Sequence, residues 1–186
     1  LDAEYSIGLL DVPHKISIAP IVELPFGEGK RWAQSGAAAA ILGDWTISSI
    51  IAIESGFPIR VSRSSNGLSS AFFPMQRPNL TGADIATSGG REDRLFYNGA
   101  DPGIWLNAAA FADPGLYALG NAPRTLGDIR TPHRNNWDFV ASKDVRLGGT
   151  ARGQIRLEVL NITNTVKTLG PNTTVGSSAF GRITGQ

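Results

Sequence analysis

The sequence predicts an all-β fold of antiparallel strands, and three observations carry this prediction. Four segments alternate apolar and polar residues with period two, which is the spacing of a strand with one face covered. Glycine or proline stands near the ends of these segments, as is typical of strand boundaries. One pair of segments is joined by a short glycine-rich turn, whereas another pair is separated by about 70 residues, an unusual length for a connection.

The first predicted strand lies near residues 15–24 and the second near residues 45–62. In the first, the even positions from Ile16 to Leu24 are apolar, while the odd positions include Lys15 and Glu23. Pro20 interrupts this strand; because proline cannot donate a ladder hydrogen bond, it predicts a bulge or a sheet edge. In the second, the odd positions from Trp45 onward are mostly isoleucine and the even positions are more polar.

The third and fourth predicted strands lie near residues 137–147 and 154–164. Trp137 begins an apolar odd face that only Lys143 interrupts, and the fourth strand alternates in the same way. Residues 148–153 between them contain three glycines, which predicts a tight hairpin.

The long connection, residues 63–135, favours one architecture. Outer-membrane barrels alternate short periplasmic turns with long extracellular loops. If the 148–153 hairpin is periplasmic, the long loop lies outside, and residues 24–43 return to the periplasmic side. Leu24–Trp32 then ends a strand and turns at the headgroup level. Phe26, Trp32 and Trp45 would form one aromatic girdle, and Phe57 and Trp137 would approach the other. We therefore predict a single segment, residues 1–186, of an incomplete barrel with one long extracellular loop.

Composition excludes several function classes. With 186 residues and a formal net charge of +1, the chain is large enough for one domain and has no basic field for nucleic acid. It has no cysteine, and His14 and His133 are far apart, so no metal site is predicted. The sequence around Gly27–Arg31 lacks the spacing of a phosphate loop, and Gly176–Gly181 misses the hydrolase pattern. We expect neither enzymatic activity nor a cofactor.

A soluble β-sandwich is the alternative that periodicity leaves open. A strand face packed on a second sheet and a strand face packed on lipid show the same alternation. A sandwich must, however, accommodate the long connection.

A series of short sequence motifs bears on this choice, because the motifs follow one another in the same order as in a known family. They are Asp11–His14, Glu23–Gly27, Leu42–Ser48, Glu54–Pro58, Arg77–Asn79, Trp105–Phe111, Gly120–Arg124, Asn136–Asp138, Glu158–Asn164 and Phe180–Thr184. The series resembles the late strands of TonB-dependent outer-membrane receptors, in the subgroup with an N-terminal carboxypeptidase-regulatory-like domain. The resemblance implies import of a scarce ligand, such as a sugar, chelate or peptide. It also implies the bilayer, the rest of the barrel and its plug, and an inner-membrane energy-coupling complex as partners.

The chain also departs from that family. The family builds a barrel of about 22 strands around a plug, whereas this sequence shows four clear strands, no plug and no energy-coupling box. We therefore expect a piece of a receptor. The alternative is a barrel-derived fragment whose unpaired strand edges recruit copies of itself into an oligomer or an extracellular fibre.

If ligand contacts exist on this chain, we expect them in the long loop. Arg91, Arg94, Tyr97 and Trp105 combine cations with aromatic rings, as sites for sugars or anions do. The same four residues would serve equally well to pack the loop on itself.

Overall fold

A computed structural model describes residues 4–71, 73–88, 94 and 103–185. It divides the chain into two compact units. The sheet unit comprises His14–Glu54 and Arg134–Thr165. The loop unit comprises Leu1–Pro13, Ser55–His133 and Val166–Gln186. Most pairing is antiparallel, which confirms the all-β prediction.

The sheet unit is built from one five-stranded antiparallel sheet. Strand β3 (Trp45–Glu54) lies at the centre of the sheet, because it pairs with two edge strands on one side and with β9 (Arg134–Gly148) on the other. Strand β10 follows β9 at the opposite edge. The strands are β1 (Lys15–Ile18), β2 (Ile21–Glu23), β3 (Trp45–Glu54), β9 (Arg134–Gly148) and β10 (Ala151–Val159).

Pro20 divides the first predicted strand into β1 and β2, both paired with β3. The break keeps the register, since Ile18 pairs with Ile51 and Ile21 with Ser48. The Pro20 carbonyl still accepts a hydrogen bond from the Ser49 amide, 3.1 Å away. Pro20 therefore interrupts the hydrogen bonding between this edge strand of the described sheet and β3, towards which the missing donor would also have pointed.

The predicted hairpin joins β9 to β10. Gly148 pairs with Ala151, which leaves Gly149 and Thr150 as the turn. Gly148 and Gly149 have φ angles of 105° and 56°, a region that glycine enters without the penalty of a Cβ atom. A register shift follows between Ala151 and Arg152.

The strand bounds differ from the prediction by several residues. The second predicted strand, near 45–62, ends at Glu54 in β3. The third begins at Arg134 rather than near residue 137. The fourth runs from Ala151 to Val159 rather than from 154 to 164. It ends where Asn161 takes a positive φ of 50° and its amide donates to the Asp138 carboxylate, 2.8 Å away.

A short helix, α1 (Gly36–Leu42), interrupts the all-β pattern between β2 and β3. Alanine fills most of it, and alanine has the highest intrinsic helix propensity. The helix buries none of its residues. Among the residues that the structure describes, no helix is long and apolar enough to cross a membrane.

The loop unit folds through short strand pairs rather than one sheet. Much of it lies within residues 63–135, which the sequence predicted as one long loop. Pairs form between β4 and β8 and between β6 and β7, both antiparallel, and between β5 and β11, in parallel. These strands are β4 (Pro58–Ile59), β5 (Ser62–Arg63), β6 (Asn79–Leu80), β7 (Phe111–Ala112), β8 (Leu126–Arg130) and β11 (Thr174–Val175).

The hydrophobic core of the described residues lies in the loop unit. Leu106 is fully buried, and Phe111 packs edge-on against Phe180 with ring centroids 5.4 Å apart. The core cluster is Ile59, Val61, Trp105, Leu106, Ala110, Phe111, Leu126, Ile129, Phe180 and Ile183. Every member comes from Ser55–His133 or Val166–Gln186, so the loop unit has its own core.

One buried glutamine organises the polar interior of the loop unit. Gln76 is 1 % exposed, and its amide donates to the carbonyls of Gly115 and Ala118 at 2.6 and 2.9 Å. Its oxygen accepts from Arg63 and from the Gly67 amide at 3.0 and 3.1 Å. Because both ends are satisfied, this side chain fixes the 113–118 segment without an unpaired polar group.

The base of the long connection is closed by a backbone contact within the loop unit. The Phe57 amide donates to the Thr131 hydroxyl at 2.9 Å, and the Thr131 amide donates to the Phe57 carbonyl at 2.8 Å. A Cβ atom added to Gly56 would lie 1.7 Å from the Thr131 carbonyl oxygen. Glycine is therefore required for this approach.

We predict that Gly56→Ala destabilises the protein. The Cβ–carbonyl clash can be relieved only by moving backbone, and overpacking of this kind costs about 1–3 kcal/mol. Gly8→Ala is the matched control, because nothing lies within 4 Å of its added Cβ atom. Thermal unfolding in detergent compares the two variants. Equal unfolding temperatures for the two variants would contradict the close approach of Gly56 to the Thr131 carbonyl.

Candidate functional site

One face of the five-stranded sheet is almost wholly apolar. The register places Ile16 beside Ile53, Ile18 beside Ile51, and Ile51 beside Trp137, so these side chains share a face. The face continues across β9 and β10, where Ala141 pairs with Leu157 and Phe139 with Val159. The predicted alternation of these strands is thus realised as one continuous surface.

This apolar face is not covered by protein. Ile16, Ile18, Ile155 and Leu157 retain 52, 50, 60 and 58 % of their accessible surface. Within the described part of the sheet unit, only Gly27 and Gly43 are buried. A single sheet layer with so large an exposed apolar surface is unfavourable in water and favourable against lipid.

Three polar side chains lie on the apolar face: Ser49 and Lys143 have partners, whereas the buried Oδ1 atom of Asn135 has none among the described residues. The Ser49 hydroxyl donates to the Asp138 carbonyl at 2.8 Å and accepts from the Trp137 indole. The Lys143 ammonium donates to the Gly43 carbonyl and lies 5.7 Å from the centre of the Trp45 ring. In an apolar environment a polar group without a hydrogen-bond partner costs free energy, so such partners are expected on an apolar face.

The strands are long enough to cross a hydrocarbon layer. β3 has 10 residues, β9 has 15 and β10 has 9. A membrane strand needs about 9–11 residues at a tilt near 45°. The lengths and the apolar face therefore satisfy the same requirement.

Aromatic residues gather at one end of the sheet unit, as predicted for Phe26, Trp32 and Trp45. The Phe26 and Trp32 rings lie 5.6 Å apart, and the Leu24 amide donates to the Trp45 carbonyl at 2.9 Å. Cations accompany them: Arg31 lies 5.0 Å from the centre of the Trp32 ring. Aromatic rings and cations together are typical of a membrane–water interface.

The interpretation of Leu24–Trp32 as a strand end and turn also holds in the structure. β2 ends at Glu23, and the Lys30 amide donates to the Gly27 carbonyl at 3.1 Å. The Lys30 ammonium donates to the Glu23 carboxylate at 2.7 Å. This hydrogen bond raises the pKa of Lys30.

The opposite face of the sheet carries the charged side chains. At one end, the Glu54 carboxylate accepts from Lys15 at 2.6 Å and from Arg134 at 2.9 Å, which ties β1, β3 and β9 together. Gln154 donates to Asp144 at 3.0 Å between β9 and β10. A polar face opposite an apolar one is the pattern of a barrel wall with a wet interior.

A family model described as an outer membrane beta barrel domain matches residues 1–186. The chain belongs to this family. No curated protein and no solved structure matches it. The family indicates an outer-membrane location for this chain.

The predicted ligand residues of the long loop are only partly described. Arg91 and Tyr97 lie outside the described residues. The Arg94 guanidinium stacks 4.0 Å from the centre of the Trp105 ring and donates to the Trp105 carbonyl at 3.2 Å. Trp105 is 7 % exposed, and its indole donates to the Arg130 carbonyl at 2.7 Å.

These contacts are those that loop packing requires, although Arg94 keeps one unused donor. Its Nε atom is buried without a hydrogen-bond partner among the described residues, and burial lowers the pKa of the guanidinium. The ligand role of the four residues stays a prediction.

The loop unit contains a second cluster that sequence reasoning missed. Arg60, Arg77 and Arg124 line a cavity of about 260 Å³. The three are far apart in sequence, so no local motif marks them. The available signal was Arg60 itself, a cation inside the apolar run Phe57–Val61. Among the described residues, no group of histidine and acidic side chains could hold a metal ion.

We predict that Leu157→Lys impairs insertion of the barrel wall. Leu157 lies on the exposed apolar face, which we expect to meet lipid, and a lysine near the middle of a bilayer costs about 2–4 kcal/mol. Gln154→Lys is the control, because Gln154 lies on the polar face of the same strand beside Asp144. Refolding of each variant into liposomes, followed by denaturant titration, measures the difference. Equal losses would argue against the assignment of faces.

Proposed function

We propose that this chain is part of a TonB-dependent outer-membrane receptor that takes up a scarce ligand. The supporting observation is that the chain combines a single-layer sheet, which has an exposed apolar face, with a loop unit that has its own core. A barrel that served only as a passive pore would gain little from a folded insertion of this size. A folded insertion does provide fixed side chains for ligand contact.

The proposal assigns a partner to each surface. The apolar face meets the bilayer, and the polar face lines the interior around a plug. The edge strands of the sheet continue into the rest of the barrel, and an inner-membrane complex supplies energy. The loop unit faces the cell exterior, where Arg91, Arg94, Tyr97 and Trp105 are the first proposed ligand contacts.

A second candidate function rests on the sheet edges. Within the described residues, β10 pairs only with β9, and β1 and β2 pair only with β3. Their outer edges therefore offer unpaired backbone donors and acceptors, which recruit further strands. In a receptor these edges meet barrel neighbours. In a free fragment they would pair with copies of the chain and build an oligomer or an extracellular fibre.

Fractionation of the native host followed by cross-linking tests the proposal. We expect the protein in the outer-membrane fraction, soluble only with detergent, and cross-linked to the energy-coupling protein that spans the periplasm. An outer-membrane protein that never cross-links to this partner would refute TonB dependence. A polypeptide near 19.7 kDa in large water-soluble particles would instead support edge-to-edge assembly.

A further inference from the structure

The arginine cavity of the loop unit has the composition of a site for an anion. Arg60, Arg77 and Arg124 face a single carboxylate, that of Glu4, so positive charge is in excess. Phe73, Met75 and Leu119 complete an apolar part of the lining. Phe73 is 45 % and Leu119 62 % exposed, so the cavity opens to solvent.

Arg60 shows that the cluster is not satisfied by the protein itself. Its Nε atom is buried and has no hydrogen-bond partner among the described residues. An unpaired buried donor on a charged group is destabilising and uncommon in folded proteins. That atom has almost no accessible surface, so an anion in the cavity would offset the charge of the guanidinium rather than bond to Nε directly.

Arg77 shows which kind of anion the cavity accepts. Its guanidinium forms an ion pair with the Glu4 carboxylate, 2.5 Å away, and its side chain is 14 % exposed. A carboxylate is thus already accommodated at one arginine. Planar guanidinium groups bind carboxylates through paired hydrogen bonds, which gives both strength and orientation.

The backbone around the cavity is held in place by close contacts. A Cβ atom added to Gly120 would lie 2.1 Å from the Arg77 carbonyl oxygen. Two hydrogen bonds join the same segments: the Asn121 backbone amide donates to the Asn79 side chain at 3.0 Å, and the Leu80 backbone amide donates to the Asn121 side chain at 2.7 Å. These contacts fix the segments that carry Arg77 and Arg124, so the site is organised before any ligand binds.

We propose that this cavity binds a small organic carboxylate that carries an apolar group. The volume of about 260 Å³ lies just below the roughly 300 Å³ at which pockets for drug-sized ligands begin. The carboxylate meets Arg60 and Arg124, and the apolar group lies against Phe73 and Leu119. This inference deepens the proposed function and rests on the loop unit being its ligand-contacting part.

Calorimetric titration of the whole protein in neutral detergent tests the site directly. The probes are N-acetylphenylalanine and N-acetylphenylalaninamide, which differ only in the carboxylate, and phenyl phosphate as a second anion. We expect the acid to bind and the amide not to bind. Tighter binding of phenyl phosphate than of the acid would overturn the choice of carboxylate, and equal binding of acid and amide would overturn the anion site.

Four variants separate the site from general charge effects. Arg60→Gln and Arg124→Gln each remove a charged donor and should weaken binding of the acid about tenfold to a hundredfold. Glu4→Gln removes the internal competitor and should tighten it. Arg152→Gln, in β10 of the sheet unit, is the control and should leave binding unchanged.

Stability provides a readout that a structural role would not give. Because Arg60 Nε is unpaired, Arg60→Gln should unfold at the same temperature as the native protein, or higher, while binding is lost. Loss of binding and stability together, or equal weakening by Arg152→Gln, would overturn the proposal. The titration needs no energy-coupling partner, so its failure is distinguishable from a failure of TonB dependence.

Discussion

The pairing of β3 with β9 is the interaction on which the rest of the structure depends. Ten residue pairs, from Trp45 with Lys143 to Glu54 with Arg134, join segments that are about 90 positions apart near Ser49 and Asp138. This ladder places β1 and β2 on one side and the hairpin to β10 on the other. It also forces residues 55–133 to leave the sheet and return to it within one strand spacing.

The entropic cost of this closure explains why so large an insertion is tolerated. Loop-closure entropy grows only with the logarithm of length, so doubling a loop costs about 0.6 kcal/mol. The larger cost is that of ordering the loop itself, which needs apolar burial. The loop unit meets it with its own core around Leu106 and with the Gln76 hydrogen bonds.

Burial is therefore distributed in an unusual way between the two units. In a water-soluble protein the longest strands normally carry the most buried residues, whereas here the longest strands, β3 and β9, bury no side chain. An exposed isoleucine face of this size is unfavourable in water, which accords with the lipid contact that we propose for it. Ser49 and Lys143 obey the same constraint, because each directs its polar atoms to partners within the sheet unit.

The sequence was sufficient to predict the sheet but not the loop unit, and the reason is physical. Alternation defines a strand face wherever the strand is long, so β9, β10 and their glycine hairpin were predictable. The alternation did not predict where β3 ends, because Phe57, Ile59 and Val61 continue the same pattern beyond the strand. Ile59 and Val61 are each 2 % exposed in the loop core, so the pattern reflects burial in another layer. Alternation with period two shows that one face of a strand is covered, but it does not show what covers that face.

The cavity was unpredictable for a related reason. Two-residue strands such as β4 and β6 carry no periodic signal, and their pairing is decided by tertiary contacts such as the Gly120 approach to Arg77. Those contacts bring Arg60, Arg77 and Arg124 together from three separate segments. The three arginines face one carboxylate, that of Glu4, so the cavity lining carries excess positive charge that a bound anion would offset.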